Sequence, residues 1–381
     1  MPSDREDQDQ QRTYPLNPQI EMKSTSTSSD DQSVSIPVGV IGAGRLGTFH
    51  ARKLTTIPGV KLVGIVDPIP DRRQSLAKEC RCEPLADYRE LFGHCAAVVV
   101  AVPTSLHYTT TMDCLEAGIH AFVEKPITAA SQQAQHLLAT ASKNNLILQV
   151  GHIERFNPAY QAVQPFLGDI QLIEVSRCGP FSFRITDVGV VMDLMIHDLD
   201  LILTMVRRPI RHIDATGLSV LGTHEDMAVV RIEFEGGAVA VLKASRIEQE
   251  PTRTMRIWHR KGQAIVDFAR RTTSVCQYPE DIQTGLFRIE ELDSQELEQL
   301  KQVFHTRFFA WHQLEIANCD PLEAELRDFI RAICQGTRPL VTGEDGLAAV
   351  QLAEQILERI RTSKHTAHTE TALFRHLPKA A

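Results

Sequence analysis

Residues 38–54, VGVIGAGRLGTFHARKL, run from an apolar stretch through Gly42, Gly44 and Gly47 into a segment with helical character. The next apolar run, VKLVGIVDP, ends in Asp67, which lies 20 residues beyond Gly47. Strand, glycine turn, helix, strand and terminal acid in that order predict a dinucleotide-binding βαβ unit. Gly42 permits the tight turn, Gly44 lets a pyrophosphate approach the backbone, and Gly47 allows close helix packing. The N–H groups at the helix start, around Arg45 and Leu46, are free to receive the anion. A glycine turn used only for packing is the competing reading, and it leaves the acid unexplained. A carboxylate at Asp67 accepts hydrogen bonds from a ribose and repels a 2′-phosphate, so NAD is favoured over NADP. Arg72 and Arg73 follow closely and soften that repulsion.

The same alternation continues. Residues 95–118 give an apolar strand, then Pro103, Thr104 and Ser105, then a helix beginning near His107. HAFVEKP (120–126) is a strand, residues 127–145 a helix and LILQVGH (146–152) another strand. Apolar runs buried on both faces and alternating with helices predict a doubly wound parallel sheet, whose ligands sit beyond the carboxyl ends of its strands. Pro103, Thr104, His107, Glu124 and Lys125 are therefore expected at the cofactor crevice, with His152 nearby on the substrate side. Lys125 has a plain alternative, a solvated lysine at a strand end.

DVGVVMDLMIHDLDLILTMV (187–206) carries two stripes. Met192, Met195, Leu199 and Ile202 form an apolar one at helical spacing. Asp193, His197 and Asp200 fall at i, i+4 and i+7 on another face. An imidazole flanked by carboxylates is orientable by one of them, with its protonated form favoured, which suits acid/base chemistry. An ordinary surface ion pair explains the same spacing. No third and fourth ligand follow from the spacing, with His152 the one further candidate, and no metal is expected. Beyond residue 206, strand-like runs separated by Glu-Gly-Gly and Arg-Lys-Gly turns predict a largely antiparallel open sheet. Residues 281–310 are charged and read as a loop excursion, and two amphipathic helices close the chain.

The chain has 381 residues and 43% hydrophobic content, enough for two full cores. Residues 1–36 are polar and read as a disordered tail, without the apolar core of a secretory signal. The expected domains are 37–154, for the dinucleotide, and 155–381, an α/β unit on the antiparallel sheet that binds substrate. A net charge of −8 argues against a nucleic-acid partner. No apolar run is long enough to cross a membrane. The eight cysteines form no C-x-x-C pair, so reduced thiols in the cytoplasm are expected.

The glycine motif, the E-K-P at 124–126, GHIERFNP at 151–158 and the D-x-x-x-H of Asp193 and His197 together resemble the Gfo/Idh/MocA oxidoreductases over residues 38–362. The resemblance implies a Rossmann domain with NAD, followed by an antiparallel-sheet domain. It also implies catalytic roles for Lys125, Asp193 and His197. A finer resemblance, carried by VGHIERFNPA and the 187–203 segment, is to the subgroup acting on UDP-N-acetylhexosamines, in particular UDP-N-acetylglucosamine 3-dehydrogenases of lipid A precursor synthesis. On that reading His152, Arg155, Asn157, Arg184 and His197 are the substrate-side residues, and the partner is a sugar nucleotide. Arg155 reads equally well as a structural ion pair. A homo-oligomer is expected. The alternatives are a dehydrogenase of a free polyol such as inositol or glucose, and a catalytically silent NAD(H)-sensing regulator.

Overall fold

The computed structural model of the chain describes residues 35–182 and 188–364. The expected disordered tail lies outside the described residues apart from its last two. The first layer is built from β1 (Ile36–Ile41), α1 (Arg45–Leu54), β2 (Val60–Val66), α2 (Pro70–Cys80), β3 (Glu83–Leu85), β4 (Ala97–Val100), α3 (Thr104–Glu116), β5 (His120–Glu124), α4 (Ser131–Lys143) and β6 (Leu148–Gly151). Its six strands pair in parallel in the order β3-β2-β1-β4-β5-β6. All four residues of β4 and of β6 are buried, as helices on both faces require. The strand order reverses between β1 and β4, so a crevice opens beyond their carboxyl ends, beside the glycine turn and Pro103.

After α5 (Pro158–Val163), strand β7 (Ile170–Cys178) opens the second sheet. A π-turn over Val191–Met195 then winds directly into α6 (Ile196–Val206). There follow β8 (Ile210–Leu218), β9 (Met227–Phe234), β10 (Val239–Ser245), β11 (Thr252–His259), β12 (Gly262–Asp267), β13 (Thr272–Gln277), α7 (Glu280–Gln283), α8 (Ser294–Phe308) and β14 (Trp311–Gln313). The order is β14-β13-β12-β11-β7-β10-β9-β8, antiparallel throughout except for the β7–β10 pair. In β9 and β10 buried residues alternate with exposed or half-buried ones, the period of a sheet with one covered face. Leu199 and Ile202 of α6 are fully buried, so the predicted apolar stripe faces the core.

Residues 281–310 are not a loop. Asp293 caps α8 by accepting from the amides of Gln295 and Glu296, and the Glu296 side chain reaches back to the Asp293 amide. That capping box outweighs the charged composition that suggested irregular chain.

The closing helices, α9 (Pro321–Gln335) and α10 (Gly343–Lys364), return toward the first sheet. In α9, Leu326, Phe329 and Ile330 join Val38, Val40, Ile65 and Phe122 in one apolar cluster. The Phe329 and Phe122 rings meet edge to face, 5.9 Å apart. Each such fully buried aromatic contributes about 1.5–3 kcal/mol by leaving water. Helix α10 packs against β6 and α4 as well as β8 and α6, so one helix braces both sheets.

Candidate active site

The glycine turn explains its own composition. Gly42 has φ +102°, and a Cβ there would meet the Ala101 carbonyl oxygen at 2.4 Å. A Cβ on Gly47 would lie 1.7 Å from the Gly42 oxygen, so α1 packs onto the turn only because residue 47 has no side chain. A Cβ on Gly44 would meet nothing within 4 Å. Gly44 thus leaves open space in front of the uncapped first amides of α1, which is the opening a pyrophosphate occupies. Asp67, at the end of β2, is buried and accepts from the Ala43 amide (2.9 Å) and the Ile69 amide (2.8 Å). The carboxylate is thereby fixed beside the turn, and the residues present fit a dinucleotide. Arg73 donates to the Asp67 and Pro68 carbonyls, whereas Arg72 is exposed at the cleft rim.

One cleft of about 1260 Å³ runs from this turn to the second sheet. Single-ligand pockets are commonly about 300–1,000 Å³, so the space suits a cofactor and a substrate together. Gly42, Gly44, Arg45, Leu46, Asp67, Pro103, Glu124 and Lys125 line its first part, and Asp193, His197, Arg177, Arg246 and Arg253 line the other.

Lys125 follows β5, and its peptide bond to Pro126 is cis. Its ammonium donates to the Asp193 carbonyl (2.7 Å) and to Asp193 Oδ1 (3.0 Å), inside the π-turn. Lys125 and Asp193 each keep a fraction of their surface exposed, 13% and 16%. The pair therefore links the two sheets at the cleft and remains reachable. His197, one turn further on, is half-buried, with Nδ1 buried and without a hydrogen-bond partner. Burial, and then the charges of Lys125 and Arg177, push its pKa well below the ordinary histidine range. The expectation that Asp193 orients an imidazolium is therefore corrected. The carboxylate is engaged by the nearer cation, Lys125, and the ring is held neutral.

Other predicted residues lie apart from the cleft. Arg155 forms a bidentate pair with Asp200, 2.7 Å for both bonds, and adds Asp345 at 3.2 Å. Arg155 is 7% exposed and Asp200 only 1%, so this pair ties the start of the second half to α6 and α10 rather than facing substrate. Asp200 consequently leaves the face that Asp193 and His197 share. Asn157 is buried as well, capping α5 through the Ala159 amide and donating to Glu154. As direct substrate ligands, Arg155 and Asn157 are corrected: their polar groups are consumed internally. The two ring nitrogens of His107 face the Pro126 and Val102 carbonyls beneath the crevice, to which its N–H donates, and burial lowers its pKa. Gly47 and Thr104 do not line the cleft: Gly47 packs α1 onto the turn, and Thr104, at the start of α3, lines a second, smaller cavity. His152 is buried, edge to face with His197 at 6.3 Å, and neither of its nitrogens has a partner. It supports His197 from behind. Arg184 lies outside the described residues.

Three arginines of the second sheet were not foreseen. Arg177 at the end of β7 is buried, holding Asp198 in a bidentate pair and Glu154 at 2.9 Å. Arg246 is engaged by Asp226 at 2.7 Å. Arg253 in β11 is exposed on the cleft wall, with no acidic partner among the described residues, and its charge reaches His197. Nothing in the local sequence RTMRIW separates a cleft-facing arginine from a solvated one.

Fold and cleft together define an NAD-binding oxidoreductase, and comparison with known proteins agrees. Residues 36–152 match the oxidoreductase family with an NAD-binding Rossmann fold, and residues 164–265 match the GFO/IDH/MocA C-terminal domain. The chain is 32% identical over 324 residues to UDP-N-acetylglucosamine 3-dehydrogenase of Acidithiobacillus ferrooxidans, covering 85% of this chain and 96% of that one. A solved structure of an enzyme of that name from the same organism superposes with TM-score 0.75 at 31% identity, covering 86% of this chain and 99% of the other. Myo-inositol 2-dehydrogenase of Thermotoga maritima is 28% identical, covering 86% and 98%. The chain belongs to the Gfo/Idh/MocA oxidoreductase family. No helix among the described residues is long and apolar enough to cross a membrane.

Proposed function

We propose that this protein oxidises a secondary hydroxyl of a sugar nucleotide, UDP-N-acetylglucosamine at C3, with Lys125, Asp193 and His197 as its catalytic set. The observation that carries the reading is a cleft in which the reachable Lys125 ammonium and the His197 ring stand between an open glycine turn and Arg253, a cation with no ion pair among the described residues. NAD, when bound, supplies the hydride acceptor. A neutral His197 ring keeps a lone pair for the proton of the reacting hydroxyl. Lys125 donates a hydrogen bond to that oxygen and opposes its growing negative charge. Asp193, by engaging Lys125 through both its carbonyl and its carboxylate, sets where the ammonium points.

The 32% identity to a UDP-N-acetylglucosamine 3-dehydrogenase over 96% of that chain supports the sugar-nucleotide substrate. Arg253 supports it as well. An exposed guanidinium without an acidic partner is suited to a diphosphate, which it can meet with two parallel donors. A remote diphosphate supplies binding energy that orients the small reacting centre, so its loss lowers kcat as well as raising KM.

The test follows NADH absorbance with UDP-N-acetylglucosamine, free N-acetylglucosamine, inositol and glucose, on the wild type and on Arg253→Met. Turnover is expected with the UDP-sugar above all, and Arg253→Met should raise its KM by about tenfold or more, the scale of a lost charged hydrogen bond, while sparing NAD. Turnover of inositol or glucose with none of the UDP-sugar would move the protein to the polyol branch. Absence of turnover on every alcohol, with NAD still bound, would favour a sensor.

A further inference from the structure

Beneath the Lys125 turn lies a group of polar side chains that the proposed chemistry does not use. Glu325 of α9 has no surface exposure, and neither carboxylate oxygen has a hydrogen-bond partner. It faces Glu124, the residue before Lys125, and His50 of α1, and the three groups bring ligand-type atoms within 4.8 Å of one another. The His50 Nε2 donates to Glu124 Oε1 at 2.6 Å, and His50 Nδ1 is buried without a partner. Glu124 Oε2 accepts from the Lys125 amide at 3.3 Å.

Two buried carboxylates this close are not both stable as anions, since each is taken out of water and each repels the other. A bound cation or a retained proton resolves that conflict. Geometry selects between them. Zinc bonds of about 2.0–2.2 Å in a tetrahedron place neighbouring ligand atoms about 3.4 Å apart. The 2.6 Å contact between His50 and Glu124 is instead a hydrogen-bond length.

We propose that Glu325 keeps its proton and offers it to Glu124, making a buried carboxylic acid–carboxylate pair that positions the Lys125 turn. A small rotation of the Glu325 carboxyl, or one bridging water, brings the two groups into hydrogen-bonding range. Glu124 then answers to three neighbours: His50 on one oxygen, the Lys125 amide on the other, and Glu325. Helix α9 thereby reports to a turn 200 residues earlier, from Lys125 to Glu325. Glu325 is a positioning residue, because it touches neither cleft nor Lys125 side chain.

The surrounding charges are consistent with this assignment. Burial first, then Glu124 and Asp320 at the start of α9, raise the Glu325 pKa well above the ordinary carboxylate range. For Glu124, burial is outweighed by the His50 hydrogen bond and charge, with Lys125 and His107 adding, and its pKa is lowered. The backbone carbonyl of Glu325 accepts from Gln149, which anchors α9 without touching the carboxyl.

The experiment compares wild type, Glu325→Gln and Glu325→Ala in the full chain. A group with a raised folded pKa contributes stability that is present below its unfolded pKa, near 4.5, and is lost as pH rises toward the folded value. Glutamine cannot ionise, so Glu325→Gln should gain on the wild type by about tenfold in folding constant per pH unit above that point. Glu325→Gln should also keep wild-type kcat, retaining it at alkaline pH where the wild type declines. Glu325→Ala, which lets the turn shift, should lose about tenfold to a hundredfold in kcat with NAD affinity nearly intact. A Glu325→Gln variant with the same pH dependence as wild type, or with kcat as poor as Glu325→Ala, overturns the proposal. So does a stoichiometric metal in the purified wild type whose removal by EDTA lowers Tm.

Discussion

Replacing Arg155 by methionine distinguishes a substrate grip from a structural strut, because the two roles give opposite signatures. Arg155 provides both hydrogen bonds to the Asp200 carboxylate, each 2.7 Å long, and Asp200 is 1% exposed. Methionine keeps the apolar stem and leaves that carboxylate buried and unpaired. Breaking a buried pair in this way costs about 3–5 kcal/mol. At about 2 °C per kcal/mol for a chain of this size, Tm should fall by about 6–10 °C. Differential scanning fluorimetry measures this. The double variant Arg155→Met, Asp200→Leu should recover most of the loss by removing the stranded charge. KM for substrate and NAD should change little below the transition. An unchanged Tm accompanied by a tenfold rise in sugar-nucleotide KM would refute the strut and restore Arg155 as a grip.

Two further outcomes concern the chemistry. His197→Ala and Lys125→Met should each lower kcat by about 10²-fold or more while NAD still binds, as checked by steady-state kinetics and cofactor titration. Because burial and nearby cations lower the His197 pKa, the base stays deprotonated into acid, and kcat/KM should hold its plateau below pH 6.5, where an ordinary histidine titrates. Asp67→Ala should narrow the preference for NAD over NADP, since it removes both the ribose acceptor and the repulsion of a 2′-phosphate. An unchanged ratio of kcat/KM for the two cofactors would mean that this carboxylate does not read the ribose.

Much of the site was legible where the chemistry is bound to local chain geometry. Gly42 is required by its positive φ and Gly47 by its contact with the Gly42 oxygen, both within a six-residue turn, and the alternation of strand and helix then fixes which ends face the crevice. Lys125, Asp193 and His197 each follow from position within an element, at a strand end or on one helical face. Their pairing does not. Helical spacing through the π-turn and α6 placed Asp193 and Asp200 beside His197, yet Asp193 goes to Lys125 and Asp200 to Arg155, both brought in from other segments. Helix α8 is a different failure. Its signal, Asp293 followed three residues later by Glu296, was present in the sequence and was outweighed by the density of charge around it.

What the sequence by itself determined is therefore the local part: a phosphate-binding turn, a parallel sheet buried on both faces, an antiparallel sheet buried on one, and the residues standing at their ends. These depend on backbone sterics and on periods of 2 and 3.6, which act within a few residues. The tertiary structure decided which charge meets which. It sent Arg155 inward and left Arg253 on the cleft wall, and it brought Glu325 of α9 beneath Glu124. An arginine or a glutamate has the same local preferences whether it ends buried or solvated. Its partner and its protonation state are set by the dielectric and the charges around it, and those exist only once distant segments have packed.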